Sequence, residues 1–279
     1  MTIWTFFLFF GMGWVSSDDT HPVSSETTVE VEAEGWGDAR PEDVRKILLS
    51  VVQCMEKKSG VTIGNVLRVE ASGGPMVLHQ REPDGGYRIR LQISGRYWSQ
   101  LVYQFSHEVG HILARYQPHP GPQAWLEEAV CEALSFQVLK SLAKSWKQDP
   151  PFGSLRSYAH HLSEYADVMA SRCSPVAEDQ LSEWYRSHRE KLEKGHHDRP
   201  LIRVFSLHFS RWLEVNPELW KRIADMGKGT ANSSETIKER IHRWTSEWVG
   251  EDLRWAKKLN SIFTPALDQA DKGSSKSQP

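Results

Sequence analysis

Cysteine is scarce in this chain: Cys54, Cys131 and Cys173 are the only three in 279 residues, and none belongs to a C-x-x-C pair. An odd count leaves at least one thiol unpaired, which excludes a disulfide framework and is compatible with either redox compartment. Charge of one sign is equally lacking, since 34 Lys and Arg face 36 Asp and Glu for a formal net charge of −2. With no basic stripe interleaved with aromatics, nothing electrostatic argues for a nucleic-acid partner. No internal repeat is evident. The apolar run from Ile3 to Val15 is too short to span a bilayer comfortably. What remains, 39% hydrophobic and 25% charged residues, is ordinary for a soluble globular protein and enough for one large domain or two small lobes around a cleft.

The Ile3 to Val15 run has the length of a secretory signal core, and Val15 and Ser17 suit a cut near Asp18, although no Lys or Arg precedes Arg40. The expectation is a signal peptide over 1–17, a flexible linker over 18–26 and a secreted or periplasmic mature chain. An uncleaved membrane anchor and a cytoplasmic protein with a different start are the alternatives. The tail over 268–279, rich in Ser and Lys, is expected to be disordered. Twelve Trp is an unusual number, but Trp98, Trp184, Trp212, Trp220, Trp244, Trp248 and Trp255 lie in helical patterns, as core residues do.

The chemistry is concentrated in His107-Glu108-Val109-Gly110-His111. The apolar spacing of Leu101 to Phe105 and of Ile112 to Ala114 predicts a helix through this segment. Positions i and i+4 share a helix face, so both imidazoles can reach one Zn²⁺ at about 2.0 to 2.1 Å. Glu108 lies about 100° round the helix, where it can act as a general base on a zinc-activated water without ligating the metal. After a loop dense in Pro and Gly, a second helix begins near Gln123 and carries Glu127, Glu128 and Glu132 in an otherwise apolar stretch. Buried carboxylates without a cation are costly, and a metal is the simplest partner. Cys131, also on this helix, raises a ligand question, but its apolar neighbours favour a buried thiol.

With these two segments the chain resembles the gluzincin metallopeptidases, the thermolysin-like and aminopeptidase-type clan. The likeness covers roughly residues 75 to 140. In that family one helix carries H-E-x-x-H and the next a glutamate ligand, in contexts such as W-L-N-E-G, which Trp125-Leu126-Glu127-Glu128-Ala129 is similar to. The resemblance implies Zn²⁺ held by His107, His111 and Glu128, with Glu127 the weaker candidate because it is turned about 100° away. It implies that Glu132 is a hydrogen-bond acceptor orienting a ligand histidine. The interval from His111 to Glu128 is slightly shorter than in the best-known members, which requires a tight connection. An oxyanion donor is also implied. Tyr158, His160, His161, Tyr165, Tyr185, His188 and His208 are available, and Tyr185 and His188 fall at a family-like distance beyond Glu128.

Strands are expected at Thr27 to Ala33, Asn65 to Ala71, Pro75 to His79 and Tyr87 to Ile93, with a helix from Pro41 to about Lys58 and a hairpin turn at Asp84-Gly85-Gly86. Beyond Glu132 the helical candidates are Ser135 to Trp146, Leu155 to Met169, Glu178 to Glu193, Leu201 to Leu213, Pro217 to Met226 and Thr236 to Ile262. The His196-His197 pair reads as a loop. The expected fold is therefore α+β: a zincin-like catalytic domain over 27–267, with a small mixed sheet lobe and active-site helix over 27–116 and a helical lobe over 117–267. By resemblance, Pro75 to His79 forms the cleft edge that pairs with an extended peptide or protein substrate. The expected activity is zinc-dependent peptide-bond hydrolysis with Glu108 as base. A non-catalytic peptide- or protein-binding module on the same scaffold and a small-molecule zinc hydrolase are the alternatives.

Overall fold

The alternating stretch around Val29 forms strand β1 (Thr28–Val31) in the computed structural model, which describes residues 26–116, 121–194, 198–229 and 234–264. The expected signal peptide, the linker apart from Glu26, the His196-His197 pair and the tail lie outside the described residues. Among the described residues no helix is long and apolar enough to cross a membrane.

Helix α1 (Pro41–Ser59) follows β1. Pro41 fits the first turn because its missing N–H needs no partner there, and Glu42 and Asp43 complement the positive end of the helix dipole. Gly60, at φ 68°, supplies the left-handed residue that ends the helix. Val44, Ile47, Leu48, Val51 and Met55 recur at three- and four-residue spacing, and all are fully buried.

Strands β2 (Val66–Glu70), β3 (Met76–Val77) and β4 (Tyr87–Arg90) complete a four-stranded sheet in the order β1-β2-β4-β3. The β1–β2 and β2–β4 pairs are parallel, and α1 provides the crossover that the first of them requires. β3 runs antiparallel to β4 at the edge, setting Met76 opposite Arg90 and Val77 opposite Ile89. Because side chains alternate along a strand, Val29, Leu67, Val69 and Ile89 enter the core while Glu30, Arg68, Glu70, Arg88 and Arg90 share the other face. That face is laced with ion pairs, Arg68 to Glu30 (3.0 Å) and Asp84 (2.6 Å) and Arg88 to Glu70 (2.5 Å) and Glu82 (2.7 Å). The expected turn joins β3 to β4, with Gly85 at φ 80° and the Asp84 carboxylate accepting from Gly86 N.

Everything after the sheet is helical: α2 (Trp98–Leu113), α3 (Ala124–Ser145), α4 (Leu155–Ala170), α5 (Leu181–Lys194), α6 (Arg199–Val215), α7 (Ile237–Thr245) and α8 (Asp252–Phe263). A 3-10 turn (Glu178–Gln180) leads into α5, and a 3-10 run (Pro217–Gly227) links α6 to α7. The fold is thus α+β, a small mixed sheet followed by a mostly helical body. Several boundaries differ from expectation: the strand expected over Pro75 to His79 is only Met76–Val77, that expected over Tyr87 to Ile93 ends at Arg90, and Pro217 to Met226 is 3-10. Ser135 to Trp146 continues the glutamate-bearing helix, since no Gly or Pro interrupts α3, whereas Thr236 to Ile262 divides into α7 and α8 at Gly250, which takes φ 60°. All seven Trp residues assigned to the core are buried.

Helix α3 is buried over most of its circumference, and α1, α2, α4 and α6 pack around it. Its fully buried Glu132 ties three helices together. Arg203 of α6 donates Nε and Nη2 to Oε1 at 2.8 and 2.6 Å, Ser206 donates to Oε2 at 3.3 Å, and Tyr103 of α2 donates its hydroxyl to Oε1. Removing one partner of a buried ion pair strands the other charge, so Arg203→Met is expected to cost about 3 to 5 kcal/mol of unfolding free energy. Equilibrium denaturation of Arg203→Met and of the double variant Glu132→Leu/Arg203→Met checks this, the pair being expected to lose less than the single change.

Candidate metal centre

Along α2, Leu101, Val102, Phe105 and Val109 enter the core, and the same periodicity leaves His107 and His111 one turn apart. Their rings stand 5.0 Å apart at 76°. Gly110 permits α3 to come close: a Cβ there would lie 3.2 to 3.3 Å from Cβ, Sγ and Cα of Cys131. This approach brings the Glu128 carboxylate to both imidazoles. Oε2 lies 3.1 Å from His107 Nε2, and Oε1 lies 3.4 Å from His111 Nε2. Ligand atoms of the three residues all fall within 4.8 Å of one another. Around a tetrahedral zinc with bonds of about 2.0 to 2.1 Å, neighbouring ligand atoms are about 3.3 to 3.4 Å apart, so the donor set fits that ion with little adjustment.

The orientation of His111 is set by a carboxylate behind it. Its Nδ1 donates to Oε1 of Glu127 at 2.8 Å, which leaves the Nε2 lone pair for a ligand. His107 and Glu108 are buried, while His111 and Glu128 are half-buried. Burial opposes the charged form of His111, yet the Cys131 sulfur and the Glu127 and Glu128 carboxylates outweigh it and raise its pKa well above the usual value. Burial likewise opposes ionisation of Glu128, but hydrogen bonds and charge from His107 and His111 hold its carboxyl well below the ordinary range. A carboxylate set between two imidazoles is a donor arrangement that a dication can occupy in place of protons. Burial pushes the Cys131 thiol up to about 12, and its sulfur is not among the ligand atoms that converge with those of His107, His111 and Glu128.

Several expectations require correction. Glu132 does not orient a ligand histidine. Helices α2 and α3 run in opposite directions, so a turn beyond Glu128 on α3 meets Tyr103, a turn before His107 on α2, and Glu132 binds Tyr103 and Arg203 instead. The histidine-orienting carboxylate is Glu127, the residue given the weaker claim to a ligand role. Tyr185 is a buried core residue, its ring packed against Trp125 and Phe263, and His188 directs Nδ1 to the Trp184 carbonyl, so neither is tied to the His107, His111 and Glu128 cluster by a described contact. The remaining tyrosines and histidines are also engaged: the Tyr158 hydroxyl meets Ser99, Tyr165 packs on Tyr103, and His208 Nε2 lies 2.9 Å from the Val176 carbonyl oxygen. His160, His161 and Glu164 bring ligand atoms within 4.8 Å on the exposed face of α4, where His161 and Glu164 are an i,i+3 pair at 2.7 Å.

The side chains that do reach the centre went unselected in the sequence. Arg199, the first residue of α6, places Nη1 3.2 Å from Glu128 Oε2. A cation at a helix N-terminus opposes the dipole, and that misfit was the available signal. Tyr116 lies edge-on to His111 at 6.5 Å and donates its hydroxyl to the Leu78 carbonyl at 2.7 Å, tying the end of α2 to the chain beyond β3. Burial raises its pKa to about 12. Comparisons of the chain with protein-family models, with curated proteins and with solved structures find no match.

Purified protein is expected to carry about one Zn²⁺ per chain by elemental analysis. His107→Ala, His111→Ala and Glu128→Ala should each lose most of it, and Glu127→Ala should bind more weakly yet retain the stoichiometry at saturating metal. Full occupancy in both histidine variants would show that the metal is elsewhere.

Proposed function

We propose that this protein is a zinc metallopeptidase on a zincin-like scaffold of the gluzincin type, hydrolysing peptide bonds in an extended peptide or protein. The reading is carried by one observation: His107, His111 and Glu128 converge at the separations a zinc ion requires, with Glu108 beside them on α2. The order of elements, a mixed sheet with an antiparallel edge strand and then the histidine helix and the glutamate helix, agrees with it.

Zn²⁺ held there supplies Lewis-acid chemistry, polarising a carbonyl and bringing the ionisation of water towards pH 7. The protein's own residues supply the proton traffic and the positioning. Glu108 accepts a proton from the attacking water and returns it to the amide nitrogen, so that the C–N bond breaks with a neutral amine as leaving group. Arg199 is the group placed to meet negative charge developing on the carbonyl oxygen. It is 42% exposed and, among the described residues, is held by Glu128 alone, the carboxylate a metal would claim, so its guanidinium can turn to the substrate. Strand β3 offers edge backbone to an extended peptide, and its own Met76 is 43% exposed.

Glu108→Gln keeps the shape of the side chain but cannot take a proton. It should bind zinc as the native protein does and cleave an unbiased peptide mixture about 10²- to 10⁴-fold more slowly. Normal cleavage by this variant would remove Glu108 from the mechanism, and zinc binding without any cleavage by the native protein would favour a binding module. Arg199→Met should lower kcat by about 10²- to 10³-fold with a smaller effect on KM, the pattern for a group that acts on the transition state.

A further inference from the structure

Glu127 is held from two sides. Its Oε1 accepts from His111 Nδ1 at 2.8 Å, and its Oε2 accepts from Nη2 of Arg240 at 3.1 Å. Arg240 lies on α7, 113 residues further along the chain, and is almost wholly buried. Its Nη1 faces Glu235 at 3.6 Å. Glu235 in turn takes Nε and Nη2 of Arg243 at 2.8 and 2.9 Å, and Arg243 Nη1 donates to the carbonyls of Met226 and Lys228 at 2.9 and 2.7 Å. The 3-10 run that ends here is pressed against α2 just beyond His111. A Cβ on Gly227 would lie 2.4 Å from both Cβ and O of Arg115 and 2.6 Å from the Ala114 carbonyl oxygen, so only glycine fits.

We propose that Arg240 is a positioning residue of the metal centre, acting through Glu127 on His111; the proposal rests on the metal-centre reading above. A carboxylate bound by one oxygen can still rotate about its terminal bond. A guanidinium on the other oxygen fixes the plane, keeps Oε1 on Nδ1 and so keeps Nε2 aimed at Glu128 and the metal. The guanidinium also compensates a carboxylate that the apolar interior would otherwise not tolerate. Its placement follows Glu127 at the expense of its own hydrogen bonding, for among the described residues Arg240 Nε and Nη1 have no hydrogen-bond partner. A residue kept solely for stability would be expected to satisfy more of its five donors.

The test uses the full chain and two probes, Zn²⁺ affinity by competition with a chromophoric chelator and the visible absorption of the Co²⁺-substituted protein. Arg240→Gln should weaken Zn²⁺ binding about 10- to 100-fold and shift the Co²⁺ bands, with Arg240→Lys recovering most of both. Glu127→Gln should show a similar loss, and Arg240→Gln should add nothing in that background, because the path to His111 is already cut. The double variant removes both charges together and so remains foldable. If Arg240→Gln alone does not fold, Arg240→Lys and the double variant carry the test, their Co²⁺ bands being expected to match those of the native protein and of Glu127→Gln respectively. Unchanged Co²⁺ bands, native zinc affinity in Arg240→Gln, or a loss that adds fully to that of Glu127→Gln overturns the proposal while leaving the metal centre standing. A native protein that binds no zinc overturns the centre and the relay together.

Discussion

Helix α3 runs through the interior with Glu127, Glu128 and Glu132 along it, and an ionised carboxylate in such surroundings costs several kcal/mol unless it is compensated. Each is answered by a different part of the molecule. Glu132 has Arg203 from α6, Glu127 has His111 and Arg240, and Glu128 has two imidazoles and Arg199. Helices α6 and α7 are therefore placed by charge as well as by apolar packing. Glu128 differs from the other two in that its compensation is partly exposed and exchangeable, which is the property a ligand site needs and a structural ion pair does not.

The tight apposition of α2 and α3 makes this possible. Gly110 stands within the histidine motif at a position where the chemistry has no requirement, and it faces Cys131 at a distance that a methyl group would crowd. Helix propensity alone would favour alanine there by roughly 1 kcal/mol. The glycine instead shortens the gap between helices, and with it the reach from Glu128 to His107 and His111. Backbone spacing, side-chain reach and donor separation are thus one linked quantity.

Local pattern made much of this visible in the sequence. The turn of helix that aligns His107 with His111, the alternation of Leu67 and Val69, and the Pro41 and Gly60 signals flanking α1 all involve residues close in the chain. The partners of the α3 carboxylates were not visible, because they depend on which residue of another helix stands opposite. Spacing places Glu128 and Glu132 on one face, but not that the antiparallel register sets Tyr103, and no histidine, against the second. Arg240 lies on a different helix far along the chain and carries no motif. Gly250 is a local signal of another kind, since a glycine within a helical pattern marks a possible break, and here it separates α7 from α8.

The long reach from Glu127 to Arg240 also imposes an order of events during synthesis. When α2 and α3 have left the ribosome, His107, His111 and Glu128 are all present, but the guanidinium that backs Glu127 is still more than a hundred residues away. Long-range contacts of this kind form late, after the loop-closure entropy has been met. The nascent chain thus holds His107, His111 and Glu128 before it holds Arg240, and contact-order reasoning puts the final fixing of the Glu127 carboxylate after α7 has docked.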